Sequence, residues 1–279
     1  MHLFEFSIFG RIVFGGRGFM LKFFGAFVAG MFLSLVGANG WETPKIRDGG
    51  ASKWEFIFAP YLLAPTIEGD SSIGRLPNVG LNVAPGSIFE HLQFGAMGHF
   101  EALYDQRFGL VLDVAYMNLG SGTTFPAVGG SVKSGVKQAV TEFMLGYRFW
   151  KSDRAWLEAY AGGRWWHNEL KVTAAVPAAG FSRTITENWV DPVVGLRGQA
   201  FVADKVSLYG SANIGGFGLV SDFSWALQGG VGYHFTDRVA LQLQYKGTGV
   251  DYDNDKSGAS AFSYNTVTHG LMVGVAIRF

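Results

Sequence analysis

The chain has 279 residues with no cysteine and a formal net charge of zero, which excludes disulfide scaffolds, thiolate metal sites and cysteine nucleophiles and gives no electrostatic footprint for nucleic acid. Charged residues make up only 16% of it, against roughly 25% in soluble domains. Such a chain cannot cover a water-soluble surface well, but it needs no such cover where its exterior meets lipid.

Residues 1–40 read as an export segment. Met20-Leu21-Lys22 precede an apolar run from Phe23 to Val36, and Gly37-Ala38-Asn39-Gly40 follow. This is the order of a secretory signal: basic region, apolar region, small-residue cleavage site. The apolar run has 14 residues, short of the roughly 20 that a spanning helix requires. Cleavage is expected after Ala38 or Gly40. Met1 and Met20 are both candidate starts. The mature domain is 41–279.

From Trp54 onward the chain alternates with period 2 between turn residues. Ten segments are predicted as strands, at 54–66, 91–104, 107–119, 135–150, 155–171, 182–202, 205–215, 221–235, 238–251 and 264–279. In the third, Phe108, Leu110, Leu112, Val114 and Tyr116 alternate with Gly109, Val111, Asp113, Ala115 and Met117. The last strand alternates most cleanly: Leu271, Val273, Val275, Ile277 and Phe279 share one face, and Gly270, Met272, Gly274, Ala276 and Arg278 the other. One face suits lipid and the other a narrow interior.

Four connections are short and polar, around Asp105-Gln106, Lys151–Arg154, Ala203-Asp204 and Thr236-Asp237. The others are mostly longer, notably 67–90, 120–134 and 252–263. Alternating short turns and long loops, with an even strand count, predict an all-β fold: a ten-stranded antiparallel up-and-down transmembrane β-barrel of a Gram-negative outer membrane. A soluble sandwich also alternates, but it would not expose apolar rows on nearly every strand.

Several stretches resemble a family of uncharacterised Gram-negative outer-membrane β-barrel proteins. They are Trp189-Val190-Asp191-Pro192-Val193-Val194-Gly195-Leu196-Arg197, Gly215-Gly216-Phe217-Gly218, Ser221-Asp222-Phe223-Ser224-Trp225 and Val250-Asp251-Tyr252-Asp253. The resemblance implies the fold and location and no established activity. His234 and Lys246 stand where it leads one to expect arginines. The final strand is also similar to the signal read by the barrel-assembly machinery, with Gly274, Ile277 and Phe279 at matching places and Met272 departing from the polar residue expected.

Chemistry is sparse. A Ser–His–acid site needs convergent groups. Ser224 and His234 share a face but stand about 33 Å apart at the usual strand rise. His99 and Glu101 are close, with no serine forced beside them. Asp251, Asp253 and Asp255 lack the glycine and glutamate of a calcium loop. Gly215, Gly216 and Gly218 precede no helix, so they make no phosphate loop. No catalytic residue, metal site or cofactor is expected.

The inward charges are more informative. Glu142 and Arg148, Glu158 and Arg164, and Asp191 and Arg197 face inward on strands four, five and six. Antiparallel partners share a constant index sum. The pairs 142/164 and 148/158 share one sum, and 164/191 and 158/197 share another. One register per hairpin therefore makes two layers, Glu142–Arg164–Asp191 and Arg148–Glu158–Arg197. Pro192 is the hazard to this register, because a proline inside a sheet suggests a bulge, and a bulge there would shift Asp191 off it. With bulky Tyr61, Met97, Met144, Trp150, Tyr160, Trp166, Trp189, Phe201 and Tyr209 also assigned inward, the lumen is expected to be largely filled. The function expected is a structural or interaction barrel with extracellular loops. A narrow channel or transporter for small solutes is the alternative, and an outer-membrane enzyme the second. The partners expected are outer-membrane lipid and the secretion and barrel-assembly machinery, with no nucleic acid, and the barrel is expected to be a monomer.

Overall fold

Apart from one short extra strand, the strands pair antiparallel in sequence order, and the sheet closes on itself through its first and last strands. The computed structural model describes residues 53–74, 79–125, 130–176 and 179–279. The export segment read at 1–40 lies outside the described residues. Ten strands form the wall: β1 (Trp54–Ile73), β3 (Leu92–Tyr104), β4 (Phe108–Phe125), β5 (Gly130–Lys151), β6 (Ala155–Val176), β7 (Ala179–Ala203), β8 (Val206–Gly215), β9 (Phe223–His234), β10 (Val239–Asp253) and β11 (Phe262–Arg278). The ladder from Ile57↔Arg278 to Ile73↔Phe262 joins β1 to β11 and closes the barrel. The region 67–90, read as a loop, instead continues β1 and then folds into a short extra strand, β2 (Val79–Val83), and a helix, α1 (Pro85–His91). Proline opens that helix, where its missing N–H costs nothing.

Alternation explains both faces. Leu145, Val194, Leu243, Leu271 and Val273 point outward and are exposed, as a wall in lipid requires. At the short-turn end, aromatic side chains gather into an interfacial girdle. Trp54 lies 4.9 Å from Tyr104, and Phe108 5.3 Å from Tyr147, between ring centroids.

The wall is uneven. β5 and β6 have 22 residues and β7 has 25, about twice the 9–11 needed to span the bilayer. β8 and β9 have only 10 and 12. The tall strands therefore project beyond the membrane on the long-loop side. There Trp166, Trp189, Tyr252, Phe262 and Tyr264 form a buried cluster. Trp189 of β7 stacks on Tyr252 of β10 at 3.9 Å beyond the low β8–β9 hairpin, so side chains meet there where backbone pairing has stopped.

One expectation about an individual residue needs correction. Trp150 does not enter the lumen. The β5–β6 register shifts between Arg148 and Trp150, so Phe149 is an extra residue and Trp150 turns outward, 43% exposed. No bulge forms at Pro192: the β6–β7 register runs unbroken through Gly163↔Pro192 and keeps Asp191 opposite Arg164. Pro192 sits where β7 outlives β8, whose pairing begins only at Val193↔Gly215. Its carbonyl still accepts the Gly216 N–H at 3.1 Å, and its missing N–H breaks no ladder bond.

Candidate functional site

Every second side chain of each strand enters the lumen, and the register decides which of them meet. On β5, β6 and β7, Arg148, Glu158 and Arg197 stand directly opposite one another. Glu158 accepts from Arg197 Nε at 2.7 Å and from Arg148 Nε at 3.3 Å. Across the lumen, Glu101 of β3 accepts from Arg148 Nη2 and Arg197 Nη1, both at 3.0 Å. Two carboxylates and two guanidiniums thus form a closed ring of alternating charge. The Arg148 guanidinium also lies 4.1 Å over the Trp156 ring. Gly109 and Gly146 make room for the ring: a Cβ at Gly109 would meet a Glu158 oxygen at 3.3 Å, and one at Gly146 would overlap the same carboxylate.

In the second layer, Glu142, Arg164 and Asp191 are also directly opposite. Arg164 Nε donates to Glu142 at 2.6 Å, and its Nη2 donates to Asn213 at 2.7 Å. Asp191 turns its carboxylate elsewhere, accepting from Trp166 Nε1 at 3.0 Å and from the Ser221 N–H at 3.1 Å. It therefore ties the β8–β9 loop to the wall rather than completing the charge layer. Glu158, Arg164 and Asp191 are all completely buried.

A third group joins the layers. Asp113 of β4 accepts from Tyr61 Oη at 2.9 Å, and Lys246 Nζ of β10 lies 3.3 Å away. His99 Nδ1 is 3.2 Å from Asp113, and its Nε2 is 3.7 Å from Glu101. Asp113, Lys246, His99 and Trp156 all lie on the inward face by strand alternation. Strand parity alone marks all four. What it lacks is any rule for contacts across the lumen, between strands that are not neighbours.

Of the bulky side chains assigned inward, Tyr61, Met144, Trp166 and Trp189 are buried; Met97, Tyr160, Phe201 and Tyr209 are half-buried. Ser224 and His234 face inward at opposite ends of β9. His234 instead meets Ser207, whose Oγ lies 2.9 Å from His234 Nε2 and accepts from Gln199 Nε2 at 2.9 Å. Ser207 is buried, and the other imidazole nitrogen has no carboxylate partner among the described residues. Asp251 and Asp253 end β10, and Asp253 accepts the Asp255 N–H at 2.7 Å, which shapes the loop. Near the last strand's end, Gly274 pairs with Tyr61 and Ile277 with Phe58, and Phe279 exchanges two backbone bonds with Phe56 at 2.9 Å each.

No family model matches the chain, and no curated protein matches it. Among solved structures it is similar to the outer membrane protease OmpT from Escherichia coli, with a TM-score of 0.54 and 9% identity over 84% of this chain and 99% of that one. It also matches Ail of Yersinia pestis, in complex with the heparin analogue sucrose octasulfate, at 10% identity over 82% and 99% of the two chains and a TM-score of 0.39. The translocator domain of the autotransporter NalP from Neisseria meningitidis matches at 12% identity over 93% and 96%, with a TM-score of 0.36. At such identities the OmpT likeness carries the fold alone, that of an outer-membrane β-barrel.

Proposed function

We propose that this outer-membrane β-barrel is a structural and interaction protein, a monomeric wall element with a closed lumen and an extracellular sheet that meets other molecules. The observation that carries this reading is the ring Glu101–Arg148–Glu158–Arg197. Four buried charged groups from β3, β5, β6 and β7 neutralise one another across the interior, and side chains can fill a barrel this narrow. The projecting halves of β5, β6 and β7 expose Lys133, Ser134, Lys171, Arg183, Thr184 and Thr186, a polar surface suited to contact outside the cell. Lipid and the secretion and assembly machinery are its partners in this reading, and nucleic acid is not. Catalysis has no part in it: the Ser207–His234 pair is supported as a hydrogen-bonded element by the burial of its serine.

Planar-bilayer recording on the purified barrel tests this. The native protein is expected to show no stable unitary steps. Arg164→Ala removes the cation that Glu142 and Asn213 share, and is expected to insert normally but to leak. Large, stable steps from the native barrel would establish the channel reading instead.

A further inference from the structure

The ladder of the barrel wall is interrupted on one side. β1 pairs with β3 only from Trp54↔Tyr104 to Pro60↔Gly98, and its pairing with β2 begins only at Ile67↔Val83. Between them, residues 61–66 of β1 pair with β11 alone, and residues 92–97 of β3 face β1 without pairing to it. Phe56 exchanges its two backbone bonds with Phe279 on the β11 side. By the alternation of an antiparallel strand, Tyr61, Leu63 and Pro65 turn their backbone groups toward the gap, and Pro65 has no N–H to offer. The facing end of β3 is irregular as well, with a register shift between Leu92 and Phe94.

The gap sits at the outer edge of the apolar band. Ala64 is level with Leu271, which is level in turn with Tyr245; Glu68 and Asp70 mark the start of the polar extension. Leu62 and Phe94 are exposed beside it, Leu62 by 73%, and they continue the lipid-facing wall up to the gap. An open sheet edge at membrane depth has to be covered by something, because lipid cannot satisfy it. Helix α1 packs across its outer end on the inward side, where Ile88 shares one cluster with Ile67 of β1 and Leu92 of β3. Ile88, 2% exposed, packs into a cup made by the inward Ile67 and Met117, with Val83, Leu92 and Leu119 around it. The helix has seven residues and no side-chain cap at Ala84, so little besides Ile88 holds it in place.

We infer that the β1–β3 gap is a lateral port, and that the Ile67–Met117–Leu92 cup beneath α1 binds the tail of a single-chain amphiphile drawn from the outer leaflet. Ile88 occupies in this structure the place the tail takes. The occupant is an acyl chain because the cup is apolar and because the port is continuous with the surface that already meets lipid. The site lies above the charge ring and leaves the lumen closed, so it stands apart from the proposal that the barrel conducts nothing.

The chain contains no cysteine, so a disulfide between Ile88→Cys and Met117→Cys can lock α1 reversibly. The barrel is refolded into phosphatidylcholine vesicles with a diazirine-bearing long-chain fatty acid, irradiated and mapped by mass spectrometry. A heat-modifiable shift on gels verifies folding. Crosslinks at Ile67, Leu92 and Leu119 are expected, suppressed by unlabelled fatty acid, lost on oxidation of the lock and restored on reduction. Ile88→Trp, which fills the cup permanently, is expected to lose them without any disulfide. Crosslinks confined to outward residues such as Leu62 and Phe94, crosslinks indifferent to both the lock and Ile88→Trp, or none at all would overturn the inference.

Discussion

Glu158→Ala is expected to destabilise the folded barrel by about 3–5 kcal/mol, the cost of removing one partner from a buried ion pair. The native ring balances two guanidiniums with two carboxylates. Without Glu158, Arg148 and Arg197 share Glu101 alone, and one positive charge is left uncompensated in a closed interior. Glu158→Gln keeps an acceptor for one Nε while losing the charge, so it should fall between the native protein and the alanine variant. The Lys137–Glu169 pair supplies the contrast. Its length is shorter than most in the ring, 2.9 Å, but the Lys137 side chain is 44% exposed. Glu169→Ala should therefore cost only about 0–1 kcal/mol, as solvated pairs do. Urea unfolding in lipid vesicles, followed by tryptophan fluorescence, measures all three. Equal losses for Glu158→Ala and Glu169→Ala would mean that the ring is solvated and holds nothing together.

Gly146→Val is expected to be nearly as damaging, by about 3 kcal/mol or more, although it removes no charge. Gly146 faces the lumen beside Glu158, and an added Cβ would overlap the Glu158 carboxylate, with the carboxyl carbon at 2.6 Å. Glu158 is fully buried and has Gly109 on its other flank, where a carboxylate oxygen already stands 3.3 Å from the Cβ position. The valine must therefore push the carboxylate off its arginines, adding overpacking to the loss of pairing. Because both substitutions act on the same ring, Gly146→Val combined with Glu158→Ala should cost less than the sum of the two. Gly229→Ala is the control. Its added Cβ would meet nothing nearer than the Tyr209 carbonyl at 3.7 Å, and its stability should stay within about 0.5 kcal/mol of native. Additive losses in the double variant would show that Gly146 acts on something other than the ring.

Much of this architecture is legible in the residues themselves. A strand's side chains alternate rigidly, so Leu271, Val273 and Val275 could only be an outer face once Met272, Gly274 and Ala276 were an inner one. Antiparallel register is equally constrained, because a slip of one residue would turn Arg164 into the lipid. That is why index arithmetic alone aligned Glu142 with Arg164 and Glu158 with both Arg148 and Arg197. Local irregularity was less visible. The extra residue at Phe149 follows no periodic signal, and it sent Trp150 outward. At Pro192 the reverse held, since whether a proline disturbs a ladder depends on how far the neighbouring strand reaches, and β8 ends just below it.

What only the tertiary structure decided are the contacts that closure creates. Glu101 meets Arg148 and Arg197, and Asp113 meets Lys246, between strands that are not neighbours in the ladder. Asp191 turned from Arg164 to Trp166 and Ser221 because the β8–β9 loop folds back over it. The extra strand β2 and helix α1 arose where the region 67–90 carries too little alternation to announce a strand and too short a run to announce a helix. Period and register act along the chain and between neighbours, so the sequence by itself determined the wall. The interior depends on which walls face each other, and that is set only when β1 meets β11 and the barrel closes.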